Sequence, residues 1–293
     1  MILLSPMRVS EIVIIESLED HEFKTGGELA RYLSALDAAQ SARISVRLIT
    51  CDYAAECVQQ IRALSRAAAN GLTRPILHFE CHGSEADGLQ FANGSELAWT
   101  QLADELRSLN AATGMNLMVF LSACHGAHFI SEMDTTRPVP CLVLVGPPEE
   151  IDPGDVQASF RAFYRTLFES GDAGSNQRAL RAAVPAVDWN ITHAEQWFEQ
   201  VIRGYIIENC SRNATRERAL ALYKRAQRDG LQTSMGEFKK MIALGNRNSL
   251  TRQAFDRFFM LDIFPENRQR FLPARTRLEA TLGQLRSTGR YAL

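Results

Sequence analysis

Two apolar runs in this sequence end in the same tripeptide. ILHFECHG closes on Cys81, His82 and Gly83, and LMVFLSACHG closes on Cys124, His125 and Gly126. Cysteine and histidine are the residue types of thiol chemistry: the thiolate is the nucleophile, and an imidazole within hydrogen-bond reach takes its proton. The same letters also suit zinc, because Cys81, His82, Cys124, His125 and His128 are ligand types that zinc accepts. Adjacent residues on a strand point to opposite faces, however, so Cys81 and His82 do not readily share a site, and no Cys-x-x-Cys spacing occurs. The expectation is therefore a site without metal.

Strand and helix signals alternate around these tripeptides. VSEIVIIES reads as a buried strand, KTGGELARYLSALDAAQ as a helix, ISVRLIT as a strand, YAAECVQQIRALSRAAAN as a helix and PILHFEC as a strand. GLQFANGSELAW turns at Asn93-Gly94, a strong hairpin signal, and WTQLADELRSLN is amphipathic. NLMVFLSAC and CLVLVG supply two more core strands, and DVQASFRAFYRTLFESG a helix with an aromatic stripe. Such alternation predicts an α/β fold, a mostly parallel sheet sandwiched by helices. Strand signals stop near Pro185. The remainder, in HAEQWFEQVIRGYIIENC, RERALALYKRAQRDGL, MGEFKKMIALG and SLTRQAFDRFFMLDIF, reads as about four short helices. The expected division is a sheet domain over 1–185 and a helical region over 186–293 that is regulatory or binds a partner.

In open α/β sheets, sites form outside the carboxyl ends of the strands. Both tripeptides occupy such ends, on strands separated by one hairpin and one helix, so His82 and Cys124 can be spatial neighbours. Their roles follow from residue type: His82 as general base, Cys124 as nucleophile. Gly83 lets backbone approach a reacting carbonyl, and the N–H groups of Gly83 and Cys124 could receive an oxyanion.

These residues resemble the caspase-like cysteine peptidases, most closely their CHAT branch. There a strand ends in His-Gly, the next core strand ends in Ser-Ala-Cys, and a hairpin lies between; here those are His82-Gly83, Ser122-Ala123-Cys124 and the segment from Gly88 to Leu97. VLVGPPEEIDPGDVQASFRAFYRTL and GDAGSNQRALRAA continue the likeness, which extends over roughly 9–183; nothing beyond 185 resembles the family. The resemblance implies a caspase-like fold and cysteine endopeptidase activity with no metal or organic cofactor. It also implies a protein substrate and, as in bacterial relatives, a place in an immune or cell-death module. Where metacaspase-type members carry an acidic residue two before the nucleophile, this chain has Ser122. Glu80, Asp87, Ser122 and Asp134, with Glu132, are the substrate-pocket candidates, and the preferred residue before the cut stays open.

The bulk numbers agree with such a chain. Of 293 residues, 46% are hydrophobic and 23% charged, enough for a substantial core. No apolar stretch is long enough to span a membrane, and the first residues lack the pattern of a secretory signal, so a cytoplasmic location without a membrane partner is expected. Six cysteines at irregular spacings do not suggest a disulfide framework. Residues 1–185 carry 14 Lys/Arg against 23 Asp/Glu, and 186–293 carry 18 against 11. The basic residues of the second part alternate with apolar ones at helical spacing, which favours a solvated or docked helix face over a nucleic-acid surface. Opposite charges suggest that the helical region gates the site or recognises a regulatory protein partner. Two rivals differ in class: a non-catalytic interaction module of the same fold with a latent or dead dyad, and a zinc-dependent hydrolase.

Overall fold

The four consecutive apolar residues Ile12 to Ile15 suit a strand buried on both faces, and they form an inner strand of a mostly parallel sheet. In the computed structural model, which describes residues 8–36, 44–170, 173–248 and 253–292, β1 (Glu11–Ser17) is flanked in parallel by β2 (Ser45–Thr50) and β3 (Pro75–Ser84). Beyond β3 lie β6 (Met118–Ser122), β7 (Val143–Gly146) and the antiparallel β8 (Asn190–His193), giving the order β2-β1-β3-β6-β7-β8. Two short strands, β4 (Gly88–Gln90) and β5 (Glu96–Leu97), form a meander on the end of β3. Helices α1 (Thr25–Ala35), α2 (Ala54–Ala69), α3 (Trp99–Ala112), α4 (Pro153–Ser170) and α5 (Ala173–Ala183) complete this α/β arrangement of helices around a mostly parallel mixed sheet.

The chain folds as two compact units. Met1–Asp134 with Val139–Ala194 form the first; Thr135–Pro138 with Glu195–Leu293 form the second. The first therefore continues past Pro185, because β8 and the fully buried Trp189 belong to it. Four residues with little alternation leave no strand signal in the sequence; it is pairing with β7 that makes them a strand.

The second unit contains α6 (Ala194–Asn209), which starts at the boundary, α7 (Arg212–Arg228), α8 (Met235–Asn248), α9 (Ala254–Phe258), α10 (Asn267–Arg270) and α11 (Leu272–Ser287). Its core is aromatic: Phe198, Phe255, Phe258, Phe259 and Phe271 are all buried in successive ring contacts. The 16-residue α11 carries no separate signal in the sequence. Its buried stripe is only Ala274, Leu278 and Leu282, one residue per turn, too narrow to stand out from the charged residues between. Parts of three predicted helices, residues 37–40, 171 and 249–252, lie outside the described residues. Among the described residues no helix is long and apolar enough to cross a membrane.

Close packing at the carboxyl edge of the first unit needs residues without side chains. A Cβ on Gly146, at the end of β7, would lie 2.8 Å from the carbonyl carbon of Gly126 and 2.9 Å from the Ala127 nitrogen. Backbone cannot yield there as a flexible side chain could. Gly146→Ala is expected to destabilise the protein by about 1–3 kcal/mol, read as a lower urea midpoint with an unchanged slope.

Candidate active site

His82 stands where β3 leaves the parallel sheet. The last parallel pairs are Ser17 with Cys81 and Glu80 with Ser122; from His82 onward, β3 pairs antiparallel with β4. Alternation along β3 then puts His78, Glu80 and His82 on one face and Phe79 and Cys81 on the other. Cys81 is buried and His82 has 53% of its side chain exposed. The opposite face holds a group of buried thiols, in which Cys51 and Cys57 are hydrogen-bonded to each other with Cys81 nearby.

Cys124 lies two residues beyond Ser122, as His82 lies two beyond Glu80. The two backbones meet there: a Cβ on Gly83 would stand 2.6 Å from the Cys124 carbonyl oxygen and 3.0 Å from Ala123 Cβ. Immediately after Cys124 the chain turns through His125, whose φ of 59° is in the left-handed region that non-glycine residues seldom occupy, and enters a 3-10 turn over Gly126–Glu132. The His125 N–H donates to the Glu149 carbonyl (3.3 Å) and the Ala127 N–H to the Pro147 carbonyl (2.9 Å), so the loop after β7 holds this turn. Trp99 couples the two halves. Its Nε1–H donates to the Ser84 and Glu85 carbonyls at the end of β3, and its ring meets Phe129 of the 3-10 turn edge-on at 6.0 Å.

Beneath this edge runs a buried polar cluster. His78 is fully buried, with Nε2 2.8 Å from both Glu80 Oε1 and Ser122 Oγ, and Nδ1 3.0 Å from the Tyr164 hydroxyl. Thr25 Oγ1 donates to Glu80 Oε2 at 2.8 Å. Burial, with the nearby Glu80, pushes the Tyr164 phenol well above its usual range, so it keeps its proton and can donate to Nδ1. The His78 ring also stacks on Phe120 and meets Phe160 edge-on. One imidazole thus joins β3 to β6 and to α4, while Thr25 adds α1.

Two of the five substrate-pocket candidates, Glu80 and Ser122, belong to this cluster and are buried. Asp87 is exposed and closes the turn after β3 by accepting from Ser84 Oγ at 3.0 Å. Asp134 is half-buried in the segment after the 3-10 turn. His128 faces Glu85 at 3.4 Å. Among the described residues, no group of three or more His, Cys, Asp or Glu side chains converges as a metal ion would require.

The chain matches no family model and no curated protein. The chemistry on offer is that of the site's own geometry: an exposed imidazole and a half-buried thiol at adjacent strand ends.

No sequence signal singles out Glu22, on the loop between β1 and α1, yet its Oε1 lies 2.6 Å from His82 Nε2. Burial, the largest single influence on this carboxyl, pushes it up; the hydrogen bond from the Glu19 N–H and the contact with His82 together outweigh that and leave it below the usual value. A carboxylate at the carboxyl end of a parallel strand was the available signal, but the loop holds Glu19, Asp20 and Glu22 within four residues and spacing does not choose among them.

Removing the imidazole at the centre of the buried cluster would strand Glu80 Oε1, Ser122 Oγ and the Tyr164 hydroxyl without their partner, leaving Glu80 only its bond from Thr25. His78→Ala is expected to lower stability by about 2–4 kcal/mol, measured by urea unfolding of variant and wild type.

Proposed function

We propose that this chain is a cysteine endopeptidase of the CHAT branch of the caspase-like superfamily, working through His82 and Cys124. The observation that carries the reading is that the two strand ends bearing these residues abut in the parallel sheet, with the Gly83 backbone against Cys124. The α/β sheet order and the hairpin between the two strands support it alongside the resemblance of the His-Gly and Ser-Ala-Cys segments.

The remaining thiols argue for Cys124 as nucleophile. Of the six cysteines, all within the described residues, Cys124 is half-buried and the other five are buried. Burial, with the charge of neighbouring Glu80, pushes the Cys81 thiol far up; burial does the same to Cys141 and, less strongly, Cys210. The Cys57 thiol is raised by its hydrogen bond with Cys51 and by burial. A thiol whose ionisation is disfavoured is a poor nucleophile and a slow target for alkylation.

In the mechanism, His82 accepts the Cys124 proton and the thiolate attacks the carbonyl carbon of a peptide bond. The resulting oxyanion is held by the Gly83 and Cys124 N–H groups. Protonated His82 then gives its proton to the departing amine, leaving a thioester on Cys124, and water activated by His82 hydrolyses it. The substrate is a protein, and the acidic first unit and basic second unit favour a partner that the helical region helps to recognise, in an immune or cell-death module.

Two measurements test this. Brief iodoacetamide treatment of the native protein at neutral pH is expected to label Cys124 ahead of the other five, read by peptide mass spectrometry; preferential labelling of Cys81 would reverse the assignment. Cleavage of a mixed peptide library is expected to survive Cys81→Ala and to fall by roughly 10³-fold or more in Cys124→Ala. Equal cleavage by wild type and Cys124→Ala would exclude the peptidase reading.

A further inference from the structure

His82 does not stand free at the strand end, and the way it is held has a chemical consequence. Its Nε2 lies 2.6 Å from Glu22 Oε1, a short contact between side chains 53% and 23% exposed. Glu22 is itself fixed. Its other oxygen accepts from the Glu19 N–H at 2.6 Å, and its own N–H donates to the Glu19 carbonyl at 2.9 Å, so side chain and backbone close the same tight turn.

The turn is anchored at both ends. Lys24 Nζ donates to the Leu18 carbonyl at 2.6 Å and to the Glu19 carbonyl at 2.7 Å, drawing its two flanks together. One residue farther, Thr25 ties the start of α1 to Glu80, two positions before His82 on β3. The Gly27 N–H donates to the buried Glu16 carboxylate at the end of β1 (3.0 Å). Glu22 therefore reaches His82 from a loop secured to the strand that carries His82 and to the strand beside it.

We propose that Glu22 is a positioning residue for His82, making the pair a Glu22–His82–Cys124 triad; its catalytic consequence rests on the peptidase reading. A carboxylate only accepts hydrogen bonds, so the Nε2 that faces it carries the proton in neutral imidazole. Nδ1 is then the lone-pair nitrogen and is the one left for the thiol. When the Cys124 Sγ–H bond breaks, its proton moves to Nδ1, the electron pair stays on sulfur, and the imidazolium keeps its Nε2–H on Glu22. No proton leaves the triad, and the new positive charge forms beside a carboxylate already in place. This is the arrangement in which a base is oriented by a third group.

The test begins with a readout that needs no cleavage. In protein with ¹⁵N-labelled histidine, the ring shifts of His82 above its titration are expected to report the Nε2–H form in wild type and a mixture of tautomers in Glu22→Ala. Glu22→Gln keeps an acceptor oxygen without the charge and is expected to retain the Nε2–H form, showing also that the loop is intact. On a cleaved peptide, Glu22→Ala is expected to reduce kcat by roughly 10- to 100-fold with KM within about twofold, and Glu22→Gln to fall between it and wild type. An unchanged tautomer in Glu22→Ala would overturn the proposal, as would an unchanged kcat in an otherwise active enzyme. Wild type that cleaves nothing while its tautomer responds to Glu22→Ala would leave the positioning intact and remove the peptidase reading instead.

Discussion

The parallel pairing of β3 with β6 sets everything at the carboxyl edge of the sheet. It runs from Ile76 opposite Met118 to Glu80 opposite Ser122, and the period of two along each strand converts that register into a choice of face. A slip of one residue would exchange His82 for Cys81 and send the imidazole toward the buried thiols. Register in a sheet covered on both faces is normally enforced by apolar side chains. Here a polar lock is added, because His78 on β3 bonds Ser122 on β6 and reaches Tyr164 on α4. Such a lock is specific: satisfied, it costs little, but displaced by one position it leaves several buried polar groups without partners.

Small residues serve the same edge in another way. Gly83, Gly126 and Gly146 allow backbone to lie directly against backbone, so the turn after Cys124 sits under the end of β7 and against the end of β3. The left-handed His125 between Cys124 and Gly126 marks how sharply the chain must turn there. Strand ends are rigid and turns are adaptable; a thiol at the junction of the two is held by the sheet while remaining half-exposed. The five buried cysteines, by contrast, behave as small apolar side chains.

Much of this was legible in the linear sequence. The seven strands that alternation and apolar runs identify, from β1 to β7, occur where the pattern puts them, as does the hairpin turning near Asn93-Gly94, because period-two patterning and turn chemistry are local properties. The different environments of Cys81 and His82 also follow from alternation. Less legible were β8, whose four residues become a strand through pairing with β7, and α11, whose apolar stripe of one residue per turn disappears among charges. Neither carries a local signal strong enough to outweigh its neighbours.

The side-chain partnerships belong to the tertiary structure. His78 reads in sequence as a polar residue within an apolar strand; only the assembled sheet shows that Glu80, Ser122, Tyr164 and Thr25 converge around it, from positions 25 to 164. Glu22 likewise is one of three carboxylates in a short loop until the loop is anchored and one of them meets His82. For β1 to β7, sequence by itself determined which residues lie on strands, on which face, and at which end, since those depend on periodicity and turn chemistry. Which loop carboxylate reaches the imidazole, and which polar side chains share the interior, was decided by contacts between segments far apart in the chain, and local pattern carries no record of them.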